Sequence, residues 1–322
     1  MNGKRMSMQA QDSMPERLPG GEMAVERESI VGLARGCSIE ITSHDPSEID
    51  ACADCIEPGA EIYISMPPGQ TYHQAIAIAA RIRRAGLNPV PHVAARSLAS
   101  LATLDDYLAR AAGEAGVKQA LAIGGDKNRP AGPFDSSLKM LETGVFQKHG
   151  IRRIGVAGYP EGNPSIADAE LQRALLAKQD LGRRTGLDLY LVTQFCFDAP
   201  PIRNWLQSLR TMGVDLPVRV GLAGPASITT LLKFAVRCGI GESVRALKSR
   251  RESIVRLLTE AGPDTVLRQL AQFVADRGQG QFAGIHLFSF GGFARTARWI
   301  RSVQDGRFEI VPGKAGFRVG SS

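Results

Sequence analysis

Short apolar runs rich in β-branched residues alternate along the chain with longer segments in which apolar residues recur every three or four positions. The first pattern is typical of buried strands and the second of amphipathic helices. Eight runs predict strands: CSIEIT (37–42), AEIYIS (60–65), NPVPHVAA (88–95), VKQALAIGG (117–125), IRRIGVAG (151–158), LDLYLVTQ (187–194), LPVRVGLAG (216–224) and FAGIHLFSFGG (282–292). Helical patterns separate these runs, as in HQAIAIAARIRRAG after the second.

Eight strand–helix units are the count of a (β/α)8 TIM barrel, and their even spacing favours this fold over a doubly wound sheet. The glycine-rich turn G-x-G-x-x-G, typical of a doubly wound dinucleotide-binding domain, does not follow the first run. Residues 227–277, between the seventh and eighth runs, predict additional helices. We expect a single catalytic barrel domain over residues 35–322. The polar, methionine-rich residues 1–34 before it predict a flexible N-terminal extension.

The composition is ordinary for a soluble globular protein, with 322 residues, 43% hydrophobic and 22% charged. No run is apolar enough to cross a membrane, the N-terminus lacks the core of a signal peptide, and five cysteines suit a reducing compartment. We therefore expect a cytoplasmic protein without a membrane partner. The net charge of +7 would suit nucleic acid, but the basic residues are spread out and aromatic residues make up only 6% of the chain. We expect small-molecule partners instead, and a homo-oligomer stays open.

Catalytic residues of such barrels lie at the carboxyl ends of the strands. This rule selects a set of polar and aromatic candidates from the predicted strand ends. They are Glu40, Ser65, His92, Asp126, Tyr159, Glu161, Gln194, Phe195, Phe197, Asp198, His286 and Ser289.

Glu40 is the most informative candidate, because it places a charge inside an apolar strand. A carboxyl group that faces the barrel interior loses hydration, which raises its pKa and makes it a proton donor. A salt bridge to an outer helix explains the residue equally well. Lone histidines such as His92 and His286 are commonly core residues, and no histidine spacing predicts a metal site. The residues alone predict a barrel enzyme that transfers protons beside an organic cofactor.

Four strand-end segments resemble motifs of the 5,10-methylenetetrahydrofolate reductase family. VTQFCFD (192–198) is similar to the family's ITQFFFD, and GVAGYPEGNP (155–164) to its VAGYPEGHP. ALAIGGD (120–126) and GIHLFSF (284–290) resemble the less specific motifs ALRGD and GVHFYTL. The likeness extends in the same order from about residue 35 to residue 300.

This resemblance implies a flavoenzyme of one-carbon metabolism. In the family, FAD at the carboxyl ends of the strands is reduced by NADH or NADPH, and its hydride converts 5,10-methylenetetrahydrofolate to 5-methyltetrahydrofolate. By position, three catalytic residues are implied: Glu40 protonates the folate, Asp126 lies near flavin and pterin, and Gln194 bonds the pterin. Phe197 joins Glu40 and Gln194 as a substrate-binding residue.

The resemblance also implies a cofactor-binding set. Tyr159 would pack on FAD, and Asp168 and Lys178 are the nearest counterparts of an acidic and a basic FAD ligand. The full set is Ser65, His92, Gly125, Asp126, Tyr159, Asp168 and Lys178.

Several departures from the family pattern leave alternatives open. Gly124 stands where the family has an arginine, Cys196 where it has a phenylalanine, and SFGG where it has TLNR. Flavin contacts are therefore lost from the periphery. The alternatives are a folate-binding barrel of the same family that is flavin-free or uses another reductant, and a non-catalytic folate- or flavin-binding subunit.

Overall fold

A computed structural model describes residues 19–42, 47–67, 69–238, 260–311, 313 and 315–320. At its centre, eight parallel strands form a closed barrel in which each strand pairs with its neighbours in sequence and the last pairs with the first. The predicted (β/α)8 barrel is therefore confirmed. The strands are β1 (Ser38–Thr42), β2 (Glu61–Ser65), β3 (Asn88–Ala94), β4 (Gln119–Ile123), β5 (Arg153–Gly158), β6 (Asp188–Thr193), β7 (Val218–Ala223) and β8 (Phe282–Phe288).

Helices lie outside the barrel and connect its strands. They are α1 (Pro19–Ala34), α2 (Ser47–Asp50), α3 (Tyr72–Arg84), α4 (Leu101–Ala115), α5 (Ser137–Leu141), α6 (Val145–Lys148), α7 (Asp168–Thr185), α8 (Ala199–Thr211), α9 (Ile228–Arg237), α10 (Asp264–Arg277) and α11 (Phe293–Gln304). Of the additional helices expected between the seventh and eighth strands, α9 and α10 are present. The middle of that segment, residues 239–259, lies outside the described residues.

Helix α4 illustrates how local sequence sets the boundaries of these helices. The Ser100 hydroxyl accepts a hydrogen bond from the backbone N–H of Thr103 and so caps the first turn. The helix ends at Gly116, whose φ of 58° favours glycine. Between the caps, Leu104 and Leu108 are fully buried against the barrel. The helix is thus held by its caps and by one apolar face.

Side chains along each strand point alternately to the surrounding helices and to the lumen, so two separate hydrophobic cores form. On β1, Ile39 and Ile41 pack towards the helices, while Ser38 and Glu40 face the lumen. A separate cluster fills the middle of the lumen, and its members are Tyr63, Val90, Leu121, Tyr190 and Val192. The lumen is therefore packed rather than open, which leaves its carboxyl end as the place for a site.

The N-terminal segment differs from the expectation of a flexible extension over residues 1–34. Helix α1 occupies residues 19–34, and its Ile30 is fully buried. Glu26 forms an ion pair with Arg268 at 2.7 Å, and Arg27 donates hydrogen bonds to the carbonyl of Gly306 at 2.6 Å. Residues 19–34 are thus part of the folded domain, because burial and ion pairing fix the helix. Residues 1–18 lie outside the described part of the chain.

No helix in the described ranges has the length and apolar character needed to span a membrane.

Candidate active site

Glu40 lies at the carboxyl end of the lumen, between two histidines. Its Oε2 atom is 3.5 Å from His92 Nε2 on β3 and 3.7 Å from His286 Nε2 on β8. Its side chain keeps 12% exposure. Of the two explanations considered from the sequence, the interior position is correct and the salt bridge to an outer helix is wrong.

The electrostatics of Glu40 differ from the raised pKa expected from burial. Burial does raise the pKa of this carboxyl group, but the neighbouring His286 and His92 and the Ser65 hydroxyl together outweigh it. The pKa of Glu40 is therefore held below its ordinary value. Burial lowers the pKa of His92, against the attraction of Glu40. Glu40 is thus an ionised carboxylate in the ligand-free protein at neutral pH.

His286 is held rigidly under Glu40. Its Nδ1 atom lies 2.9 Å from the Ser38 hydroxyl, and both residues are fully buried. The Tyr63 ring lies 4.5 Å from the imidazole. The Ser289 hydroxyl donates to the backbone carbonyl of Glu40, which ties the end of β8 to β1. Sequence reasoning treated both histidines as core residues, and His92 also as a cofactor contact, and it missed their convergence on Glu40.

An aromatic wall closes the site on the side of β6, β7 and β8. Phe288 lies 4.8 Å from His286 between ring centres, and Phe195 lies 5.4 Å from Phe288. Phe290 continues the wall at 4.7 Å from Phe195. Phe197, predicted to bind substrate, is buried and contacts Phe195 at 5.4 Å. Phe288 and Phe290 were missed, although the spacing F-S-F after a strand could have indicated them.

Gln194 follows β6 directly and is half-buried. Its backbone N–H donates to the Gly158 carbonyl at 2.8 Å, and its side-chain Oε1 accepts from the Phe195 N–H at 3.2 Å. These bonds fix the residue at the rim between β5 and β6. The amide nitrogen and the second lone pair of Oε1 are the groups that Gln194 can offer to a ligand.

The rim beside β4 and β5 carries four of the predicted cofactor-binding residues. Gly125 has a φ of 88°, and an added Cβ would lie 3.2 Å from Ala94 Cβ, so only glycine lets the chain run this close to β3. Asp126 follows it and is exposed, and Tyr159 is half-buried at the end of β5. Asp168 begins α7, with its carboxylate close to Gly162 of the β5 loop.

Lys178 lies on the inner face of α7, ten residues after Asp168 and therefore about 15 Å further along the helix axis. The side chain is buried, with 9% exposure, and it has no hydrogen bond or ion pair with any described residue. Burial lowers its pKa from 10.5 to about 8. Burial of a cation is costly, so the charged side chain destabilises the ligand-free fold.

These residues fit the FAD implied by the resemblance in part. The backbone at Gly125 allows close approach, and Tyr159 offers a ring to pack against. Lys178 lies about 15 Å along α7 from Asp168. Its neighbour Gln179 bonds Gly213 and Asp215 before β7, so the pairing of Lys178 with a phosphate stays a prediction. His92 directs its Nε2 to Glu40, at 3.5 Å, and its contact with FAD stays a prediction. At Gly124 an added Cβ would meet nothing within 4 Å, so open space stands where the family has an arginine. No group of histidine, cysteine or acidic side chains within the described ranges has the geometry to hold a metal ion.

Comparisons with known proteins identify related sequences and folds. The family model described as methylenetetrahydrofolate reductase matches residues 63–250. Methylenetetrahydrofolate reductase 2 of Saccharomyces cerevisiae is 29% identical over 166 residues, which cover 49% of this chain and 26% of the yeast protein. The chain thus spans about a quarter of the length of that curated relative.

A solved structure shares the fold. It is described as an uncharacterized protein from Clostridium thermocellum that binds two copies of 5-methyl-5,6,7,8-tetrahydrofolic acid. The superposition has a TM-score of 0.51, covers 87% of this chain and 98% of the other, and gives 13% identity. At this identity the similarity shows the barrel alone.

Proposed function

The chain belongs to the methylenetetrahydrofolate reductase family, and from this premise we propose that it reduces 5,10-methylenetetrahydrofolate to 5-methyltetrahydrofolate with NADH or NADPH through FAD. The observation that carries the proposal is the position of Glu40. Glu40 has 12% exposure at the barrel's carboxyl end and lies beside two imidazoles, so it can take up a proton there and donate it to a bound ligand. A protein that only binds folate has no need of such a group.

The proposed chemistry begins with proton transfer at the folate. Glu40 first takes up a proton and then protonates N10, and the bond between N10 and the one-carbon unit breaks with its electron pair going to nitrogen. The one-carbon unit becomes an iminium on N5, which accepts a hydride and becomes the methyl group. Gln194 would donate its amide hydrogen bond to the pterin, and the aromatic wall with Phe197 would exclude water from the cation.

The cofactor would lie along the β4–β5 rim. Lys178 would pair with a phosphate, and Tyr159 would pack against the cofactor. Ser65, Gly125, Asp126 and Asp168 would complete its contacts. When bound, FAD supplies two-electron transfer between nicotinamide and folate.

A second candidate is a flavin-free reductase in which nicotinamide and folate meet directly. The open space at Gly124 and the orientation of His92 favour it. Protein stripped of flavin would be incubated with methylenetetrahydrofolate and NADH deuterated at C4. Deuterated 5-methyltetrahydrofolate formed without added FAD would support the second candidate. Product formed only after FAD is added would support the first.

Glu40→Gln tests the acid role shared by both candidates. The amide keeps the size of the side chain but does not donate a proton as a carboxyl group does, so kcat for folate reduction is expected to fall by about 10²- to 10⁴-fold. The dissociation constant for 5-methyltetrahydrofolate is expected to change little. Glu309→Gln is the matched control, because this side chain is exposed on a short strand outside the barrel. Equal activity of Glu40→Gln and the control would contradict the proposal.

A further inference from the structure

Three buried polar atoms converge at the carboxyl end of the lumen. Glu40 Oε2, His92 Nε2 and His286 Nε2 each lack a regular hydrogen bond with a described residue. Both imidazole nitrogens lie near the same carboxylate oxygen, at 3.5 and 3.7 Å. Buried polar groups are normally hydrogen-bonded, so three such atoms at one point require an explanation. A proton held among them provides it.

The Ser38 hydroxyl sets the orientation of this group. Ser38 lies opposite His286 in the parallel register of β1 and β8, and its Oγ is 2.9 Å from Nδ1. When the hydroxyl donates to Nδ1, the proton of a neutral His286 is on Nε2. That proton is then directed to Glu40.

Other titratable groups around Glu40 do not supply a positive charge. Burial raises the pKa of Tyr63 well above its ordinary value, so this ring stays neutral. Burial also raises the pKa of Cys238, at the end of α9. Glu61 and Arg219 are paired with each other at 3.1 Å, towards the amino end of the barrel. Within the described part of the chain, the two imidazoles are the groups that can bring a positive charge to Glu40.

We propose that Glu40, His92 and His286 form one proton-donating unit, in which the imidazoles hold the proton that Glu40 passes to the folate. This inference rests on the proposed function. The proton moves from an imidazolium Nε2 to Glu40 Oε2, and the carboxyl group then protonates N10 as the carbon–nitrogen bond breaks. Afterwards both imidazoles are neutral and Glu40 is ionised. Solvent returns one proton before the next turnover. His92 and His286 are positioning residues, because they act through Glu40.

The pH dependence of folate reduction tests the unit. His286→Gln keeps an amide near the position of Nε2 but cannot ionise. We expect the alkaline limb of kcat/KM to move at least one pH unit lower, with the folate KM within about twofold of the wild type. His149→Gln is the matched control, because it removes an imidazole that lies 2.8 Å from Asp105 outside the barrel. A uniform loss of activity with an unchanged pH profile would overturn the proposal. If His286→Gln does not fold, the less buried His92→Gln replaces it.

A second measurement is independent of catalysis. Ring resonances of the five histidines would be titrated by NMR in the wild type and in Glu40→Gln. Loss of the carboxylate should lower the midpoint of His92, because the attraction of Glu40 raises the pKa of this ring, by a pH unit or more. Unchanged midpoints would overturn the unit.

The two measurements separate this inference from the function on which it rests. If the histidine midpoints shift in Glu40→Gln but the wild-type protein makes no 5-methyltetrahydrofolate, the proposed function is rejected and the shared proton is supported. If the protein makes 5-methyltetrahydrofolate but the histidine midpoints do not change in Glu40→Gln, the shared proton is rejected and the proposed function is supported.

Discussion

Replacement of Lys178 by methionine should stabilise the ligand-free protein and weaken flavin binding. Lys178 is buried, with 9% exposure, and burial lowers its pKa from 10.5 to about 8. The difference of roughly 2.5 pH units corresponds to about 3 kcal/mol of destabilisation while the side chain is charged. Below pH 8 both the folded and the unfolded states carry the proton, so the full penalty applies. Between pH 8 and 10.5 the unfolded state alone retains it, so the wild type gains stability as the pH rises.

Urea unfolding of the wild type and Lys178→Met at pH 7 and pH 10 measures this effect. The variant should be more stable by about 2–3 kcal/mol at pH 7, and the difference should fall below about 1 kcal/mol at pH 10. Lys118→Met, at an exposed position before β4, is the control and should show no such change. A Lys178→Met variant that is less stable than the wild type at pH 7, or a stability difference that does not depend on pH, would show that the buried charge of Lys178 does not destabilise the fold.

Flavin binding gives the second half of this test. A charged hydrogen bond to a phosphate contributes about 1.5–3 kcal/mol, so Lys178→Met should weaken FAD binding by at least about tenfold in a fluorescence titration. Greater stability together with weaker FAD binding would indicate that Lys178 binds an anionic group of the cofactor at a cost to the stability of the fold. Greater stability with unchanged FAD affinity would remove Lys178 from the cofactor site.

Three further predictions concern the rim and the N-terminal helix. Gln194→Ala should weaken binding of 5-methyltetrahydrofolate, measured by calorimetry, and unchanged affinity would remove this amide from the site. Gly125→Ala should cost about 1–3 kcal/mol of stability in urea, because the residue has a φ of 88° and lies close to Ala94; an equally stable variant would contradict the close approach. Arg268→Met should destabilise the fold at pH 7 by removing the partner of Glu26, whose pKa this arginine holds below 4.5. The stability that this ion pair contributes is present above pH 4.5, and it is lost as the pH falls through the lowered pKa of Glu26 in the folded state. The difference in stability between Arg268→Met and the wild type should therefore shrink in acid.

The barrel could be predicted because strand periodicity and strand count are local properties of the sequence. Helix α1 could not, since Met23 and Val25 are exposed while Ile30 and Leu33 are buried, so no single apolar face marks the helix. Strand alternation allowed Glu40 to face the lumen, but it left a salt bridge to an outer helix equally open. The lowered pKa of Glu40 could not be predicted, because the lowering depends on His92 and His286, which are distant in sequence and meet Glu40 only when the barrel closes.

The Lys178 position shows the same limit of sequence reasoning. The sequence could suggest Lys178 as the counterpart of a basic residue of the family. Its burial could not be predicted, because it depends on how α7 packs against the barrel. The aromatic wall likewise depends on how the ends of β6 and β8 meet, and the ring contacts between Phe195, Phe288 and Phe290 follow from that closure.

Formation of 5-methyltetrahydrofolate by the purified wild-type protein tests the central claim most directly. The protein would be incubated without oxygen with methylenetetrahydrofolate, NADH or NADPH, and FAD, and the folate products quantified by mass spectrometry. We expect one 5-methyltetrahydrofolate for each nicotinamide oxidised, and loss of this product in Glu40→Gln. Folate that binds but is never reduced under any of these conditions would contradict the proposed function and support a non-catalytic folate-binding subunit.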